Sequence, residues 1–317
     1  MCARTPARRA ASPSIRGTFI CSTARPASDS PTPDMILATY NIHFGLGADG
    51  KYDVARIADT VAQADIICVQ EAVAGWSLNG YADQTAEIAA RLNRYCWYHG
   101  AMEADSSSVA ADGRIDNRRR SFGNAVISRW PIRWARGHYL PKNRLLQTFD
   151  LQRGFVEAGI DTPSGPLRVH SVHLSHVGAQ QRLPQVRALM EIVQAAPRTG
   201  STWDGTASER FVFQEPAPIV PAAAIVAGDF NFTAADPEYP AMCGEPSAHY
   251  GRLATTAHLL DAWTLAGNDE TTESFRGEGR IDHVMVTPEL AGRVKRAWID
   301  SETVTSDHQP IFVEFAG

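Results

Sequence analysis

Ala222-Ala223-Ala224-Ile225-Val226-Ala227-Gly228-Asp229-Phe230-Asn231 is an apolar run that ends abruptly in an acid and an amide. A short apolar segment closed by turn residues reads as a buried strand, and its polar residues emerge where the strand stops. The pattern recurs twice in the last third of the chain. Arg280-Ile281-Asp282-His283 opens the apolar run 281–287, and Ser306-Asp307-His308-Gln309-Pro310 precedes the run 311–315. One Asp-His pair would mean little, because both residues are common on surfaces. Three acid-bearing clusters beside strands point to an acidic, histidine-bearing pocket, the equipment of metal-assisted phosphate chemistry.

Working outward from these segments, residues 36–42 read as a buried strand ending near Asn41 and His43. Residues 65–69 read as a second that delivers Gln70-Glu71. Helical periodicity runs over 53–63, with Val54, Ile57, Ala58 and Val61 on one face, and over 81–95, with Ile88, Ala89 and Leu92 inward. The middle is strand-rich (124–128, 132–138, 155–161 and 167–174), a third helix covers 178–195, and 196–221 reads as a long insertion loop. The runs 294–299 and 311–315 are the closing strands. Strands interleaved with a few helices, without regular βαβ alternation, predict an α/β (α+β) fold: a four-layer sandwich of two packed mixed β-sheets flanked by helices. Its polar loops would gather at one edge.

The chain has 317 residues, 44% of them hydrophobic, enough for a sizeable core. No apolar stretch approaches the roughly 20 residues that span a bilayer, so no integral membrane association is expected. A net charge of -5 argues against a broad nucleic-acid-coating surface. The positive charge is mostly arginine, which still suits local phosphate recognition. Cys2, Cys21, Cys68, Cys96 and Cys243 are scattered without zinc spacing, which favours a reducing compartment, the cytoplasm, over a disulfide framework. Residues 1–34 are rich in Arg, Ala, Ser, Thr and Pro and read as a disordered leader. The segment is either an organelle transit peptide or, the preferred reading, an upstream translated stretch with Met35 as the natural start. The folded domain is then 35–317.

Individual residues carry different weight. Glu71, just past a buried strand, either caps the next turn or holds a hard cation through its oxygens. Asp229 and Asn231 are two apart, so in extended backbone both point to one side; a simple turn is the competing reading. Asp282 starts an apolar strand and is not expected to be fully solvated. An acid beside a histidine, as in Asp307-His308, fixes a tautomer and raises basicity. His173 lies in strand-like sequence, where a lone histidine is more often structural.

Taken in order, these segments resemble the endonuclease/exonuclease/phosphatase superfamily across nearly all of residues 35–315. Thr39-Tyr40-Asn41-Ile42 resembles its opening strand, and Gln70-Glu71 its metal-binding glutamate motif. Residues 123–128 and Arg153-Gly154 resemble its middle strands, and His173 its mid-chain histidine. Gly228-Asp229-Phe230-Asn231, Arg280-Ile281-Asp282 and Ser306-Asp307-His308 complete the set. The resemblance implies that Glu71, with Asn41 and Asp307, holds Mg²⁺ or Mn²⁺, hard ions suited to oxygen ligands. It implies that His308, oriented by Asp282, acts on the attacking water or stabilises the transition state, and that Asp229 and Asn231 position water and phosphate. His173 would hydrogen-bond the phosphate or help the leaving oxygen depart. Either Asp229 or His308 could be the general base, with one metal or two.

The implied function is a Mg²⁺-dependent phosphohydrolase, first of all a phosphodiesterase. Its substrate would be a small-molecule or lipid-headgroup diester, with a DNA endonuclease or exonuclease as the alternative. A catalytically silent binding member of the fold is a further alternative, although such members usually lose the glutamate or the last histidine. Two local features stand apart. His283 occupies a position where family members often carry an aromatic residue. Residues 112–120 form the richest basic patch, either a phosphate-gripping loop or a solvated one.

Overall fold

A computed structural model describes residues 32–211 and 214–317 of the chain. Residues 1–31, most of the expected leader, lie outside the described residues.

The apolar run at Met35 forms β1 (Met35–Asn41). α1 (Val54–Thr60) follows, with Asp53 accepting from Arg56 N at 3.1 Å as its N-cap. β2 (Ile66–Ala74) then lies parallel to β1. α2 (Gln84–Leu92) is capped by Asp83 and ends at left-handed Asn93. It is shorter than the helix expected over 81–95, because Tyr95 already begins β3 (Tyr95–Asp105). The sequence hid β3 because it is an edge strand with a weak apolar alternation, Tyr95 and Trp97 being exposed.

A small ribbon, β4 (Ser108–Val109) with β5 (Ile115–Asp116), leads into β6 (Arg119–Ser128). Arg119 and Arg120 of the basic patch therefore belong to a strand rather than a loop. Next come β7 (Ile132–Tyr139), β8 (Gly154–Thr162), β9 (Gly165–His173) and α3 (Ala179–Thr199). Past the insertion loop lie β10 (Ala224–Asp229), α4 (Glu238–Cys243), the ribbon β11 (Pro246–Ser247) with β12 (Gly251–Arg252), β13 (Leu260–Asp261) and α5 (Ala262–Leu265). β14 (Asp282–Val286), β15 (Val294–Ile299) and β16 (Ile311–Phe315) close the fold.

Two six-stranded sheets result, in the orders β15-β16-β1-β2-β6-β3 and β13-β14-β10-β9-β8-β7. Both are mixed: β1 with β2 and β9 with β10 are parallel, and the remaining neighbours are antiparallel. Three buried clusters mark the three interfaces of a four-layer sandwich. Leu37, Cys68, Val126, Val156, Val169, Ile225, Val284 and Val313 meet between the sheets. Tyr40, Ile67 and Ile127 pack under Ile57 of α1 and Ile88 of α2. Phe155, Val172 and Val226 pack under Leu189 of α3 and Met242 of α4. Period-two alternation thus sends one face of each central strand to the opposite sheet and the other to the helices.

The helix-facing side of β8 and β9 also holds a buried charge cluster. Glu157 accepts from Arg136 Nη2 at 2.9 Å, lies 3.0 Å from His138 Nε2, and meets Arg168 Nη1 at 3.5 Å. Burial works against the Glu157 charge, yet the hydrogen bond with His138, with His170 and Arg136 close by, overrides it and holds the carboxyl well below its ordinary range. A depressed folded-state pKa gives stability that is complete above the unfolded value and lost as pH falls through the folded one. A Glu157→Gln variant strands two arginines and should unfold in urea with about 3–5 kcal/mol less stability at pH 7. That deficit should shrink once pH falls below about 4.3, the unfolded-state value.

Candidate active site

The site is the end of the inter-sheet core, where each inward-facing column changes from apolar to polar. Leu37 gives way to Asn41 on β1, Val169 to His173 on β9, Ile225 to Asp229 on β10, and Val286 to Asp282 on β14. Pairing registers finish the alignment: Asp229 stands opposite His173 on one side and Asp282 on the other. Three functional side chains thus come from adjacent strands at one level.

Glu71 enters by a different device. Simple alternation after Gln70 would turn it toward the helices. Instead the β2–β6 register shifts between Val69 and Ala72, and Glu71 adopts a left-handed φ of 58°. This bulge aims the carboxylate inward, where Oε1 accepts from Asn41 Nδ2 at 3.3 Å and lies 3.9 Å from His173 Nε2. Left-handed backbone at a non-glycine residue stores about 1–3 kcal/mol of strain, a cost often found at functional positions.

Asn41 Nδ2 also donates to Asp229 Oδ2 at 2.9 Å, and its Oδ1 accepts from His43 N at 3.0 Å. His173 Nε2 lies 3.3 Å from Asp229 Oδ2. His308 stands on the loop before β16, with Nδ1 2.8 Å from Asp282 Oδ2 and Nε2 3.8 Å from Asp229 Oδ2. Asn231 has a left-handed φ of 55°, so the extended geometry expected for Asp229 and Asn231 gives way to a turn. Its backbone N caps Asp229 Oδ1 at 2.9 Å and its Nδ2 donates to Leu174 O at 3.1 Å. The turn reading describes the backbone at this position, and the turn lies directly behind Asp229. Asp307 sits at the rim, 3.6 Å from His43 Nδ1. Asn41, Glu71, His173, Asp229, Asp282 and His308 therefore converge; Asn231 supports Asp229 from behind, and Asp307 stands at the edge.

Electrostatics separate these groups. Burial opposes charge on His308, but the Asp282 carboxylate outweighs it and raises the imidazole to about 10. Burial pushes Asp229 up to about 7, against the pull of charged His308. His173 falls well below the usual histidine range, through burial and then the neighbouring Arg153 charge. It is neutral at pH 7. Arg153 Nη1 lies 2.9 Å from its Nδ1 and 2.8 Å from its Nε2 and can only donate, so the neutral ring turns its lone-pair nitrogen to Arg153 and keeps one N–H to donate elsewhere.

Sequence reasoning gave no role to three of these neighbours. Arg153 is 5% exposed and forms no ion pair among the described residues, meeting only His173 and His176 through its Nη atoms. Its signal was available, since it ends a polar loop at the start of a buried strand as Asp282 does. Ser274 Oγ donates to Asp282 Oδ2 at 2.8 Å and fixes the acid behind His308, but nothing local in the sequence marks it. Arg280, named only as part of a motif, donates to Asp261 at 2.7 Å and to His283 Nδ1 at 2.7 Å. His283 then donates from Nε2 to Phe232 O at 2.8 Å and stacks on the Phe232 ring at 5.2 Å. It fills an aromatic position with an aromatic ring.

The donor set suits a hard divalent cation. Glu71, Asp229 and Asp307 offer oxygen, whereas Asn41, expected as a ligand, turns Nδ2 to Glu71 and Asp229 and keeps Oδ1 on His43 N. Asp229, Asp282 and His308 place ligand atoms within 4.8 Å of one another. Asp282 Oδ1 is buried without a hydrogen-bond partner. The Asp282 Oδ2–His308 bond already occupies that pair, so the more open Glu71, steadied by Asn41 Nδ2, is the better anchor for the cation.

Residues 38–308 match the endonuclease/exonuclease/phosphatase family. The chain belongs to that family. Its members are metal-dependent phosphohydrolases. No curated protein matches the chain. Solved structures share its fold. An endonuclease/exonuclease/phosphatase from Beutenbergia cavernae is 21% identical, with 89% of this chain and 71% of that one covered and a TM-score of 0.59. A mannosyl-6-phosphatase from Bacteroides thetaiotaomicron is 19% identical over 89% of this chain and 100% of that one, at a TM-score of 0.55. A humanized D. rerio TDP2 is 17% identical over 90% and 99%, at 0.52. No helix among the described residues is long and apolar enough to cross a membrane.

Proposed function

We propose that this chain is a Mg²⁺- or Mn²⁺-dependent phosphodiesterase acting on a small diester in the cytoplasm. The observation that carries the reading is the Asp282–His308 pair, 2.8 Å apart, aimed with Asp229 and His173 at a space bordered by Glu71. Glu71, oriented by Asn41 Nδ2, would hold the cation with Asp307 at the rim, and the ion would supply Lewis-acid polarisation of a phosphate oxygen.

The chain's own groups divide the remaining work. Charged His308, held by Asp282, donates to a non-bridging phosphate oxygen and stabilises the charge that grows there. Asp229, with its affinity for a proton raised toward neutrality, accepts one from the attacking water. Asn231 N holds the other oxygen of Asp229, so the carboxylate presents one edge. Neutral His173 offers its ring N–H as a hydrogen-bond donor beside the phosphate. Arg153, buried without a carboxylate partner, supplies positive charge behind it. Retention of Glu71, Asp229, Asp282 and His308 in one geometry speaks against a silent binding protein. The free thiols Cys68, Cys96 and Cys243 support a reducing compartment.

The test is a substrate panel with Mg²⁺ or Mn²⁺: bis(p-nitrophenyl) phosphate, p-nitrophenyl phosphate, abasic DNA, plasmid and sphingomyelin. Turnover of the small diester above the others, absent from a His308→Ala variant, is expected. Absence of turnover across the panel would overturn the reading.

A further inference from the structure

Beside the acid–histidine cluster lies a cleft of about 400 Å³ with an almost wholly apolar wall and no charged side chain among its described lining residues. Phe44, Tyr52, Trp76, Phe122 and Phe149 supply five rings, and Leu151 closes one side. The cleft adjoins the site through neighbouring side chains. The Phe122 ring centroid is 6.3 Å from that of His173, and Phe44 lies 4.3 Å from His43, whose backbone N holds Asn41. Val73, on the same wall, is two residues beyond Glu71.

Several of these rings face water: Phe149 is 74% exposed, Tyr52 48% and Phe44 39%. Clustered exposed rings at a polar site mark a place where an apolar group is received. The wall is also preorganised. Trp76 Nε1 donates to Ser121 O at 2.8 Å, and the Arg120 guanidinium covers its ring at 5.0 Å. Walls built from fixed aromatic faces favour a flat ring over a flexible chain, because ring faces stack with defined geometry. Size agrees, since about 150 Å³ accommodates one benzene and this cleft holds one or two rings but no pair of long acyl tails.

We infer that this cleft is a specificity subsite that receives a flat aromatic group, an aryl ring or a nucleobase, esterified to the phosphate. The inference rests on the phosphodiesterase reading only for where the phosphate sits.

Binding of non-hydrolysable and product-like anions tests it apart from turnover. Calorimetric titration of the protein in Mg²⁺ would compare phenylphosphonate, thymidine 5′-monophosphate and methylphosphonate. At least one ring-bearing anion should bind about tenfold more tightly than methylphosphonate, as a stacked ring contact allows. The tighter of the two identifies an aryl or a nucleobase occupant. Phe149→Ala, at an exposed position, and Phe122→Leu should each cut that advantage about three- to tenfold and leave methylphosphonate unchanged. Equal binding of all three anions, no binding of any, or an advantage untouched in both variants would overturn the subsite. Ring-selective binding without turnover of any diester would keep the subsite and remove the phosphodiesterase reading instead.

Discussion

Asp282→Asn should lower kcat about 10³–10⁴-fold, as loss of the acid behind an imidazole does in other acid–histidine pairs, with KM changed little. Asp282 touches neither water nor phosphate in the proposed mechanism; it positions His308 and keeps it charged. In the native protein the carboxylate outweighs burial and lifts His308 to about 10, so the imidazole is protonated throughout the neutral range. With asparagine the largest charge opposing burial is gone, only the Asp229 and Asp307 carboxylates remain to offset it, and His308 loses its proton far more readily. The sign follows: the native rate should rise as Asp229 ionises near pH 7 and hold until His308 deprotonates. In the variant, charged His308 and ionised Asp229 coexist only narrowly, so it should show a low bell near neutrality. A kcat profile between pH 5 and pH 9, flanking the ordinary histidine value of about 6.5, reads this directly. A variant equally slow at every pH would show that Asp282 has a structural role only.

Glu71→Gly should lose about 10³-fold in activity, the several kcal/mol that Lewis-acid stabilisation supplies, while the fold becomes no less stable. Glu71 holds a left-handed φ of 58° that glycine adopts freely, so relief of strain should add about 1 kcal/mol in urea unfolding. Activity and stability moving in opposite directions is what a functionally placed side chain predicts. A loss of both would mean that Glu71 serves the β-bulge rather than the chemistry.

The layers of the fold were legible because central strands buried on both faces read as continuous apolar runs. β15 and β16 fall where the sequence placed them, and β1, β10 and β14 nearly so. β3 was not legible, since an edge strand lacks that signal, and neither was the early end of α2 at Asn93. The convergence of Asn41, Glu71, His173, Asp229 and His308 was drawn from motif order. What no motif could show was the physical means: the inward parity shared by four strand ends, the bulge that turns Glu71, and the turn at Asn231. Ser274 escaped because its importance comes from the acid that packs on it. The ring-lined cleft gathers residues from five separate segments, a grouping that only tertiary structure reveals.

The central claim is that this chain hydrolyses phosphodiesters with a divalent metal at Glu71. It is tested most directly by the turnover of bis(p-nitrophenyl) phosphate before chelation, in excess EDTA, and after Mg²⁺ or Mn²⁺ is restored. The account predicts turnover that EDTA abolishes and either ion recovers. A rate in EDTA equal to the starting rate would contradict it.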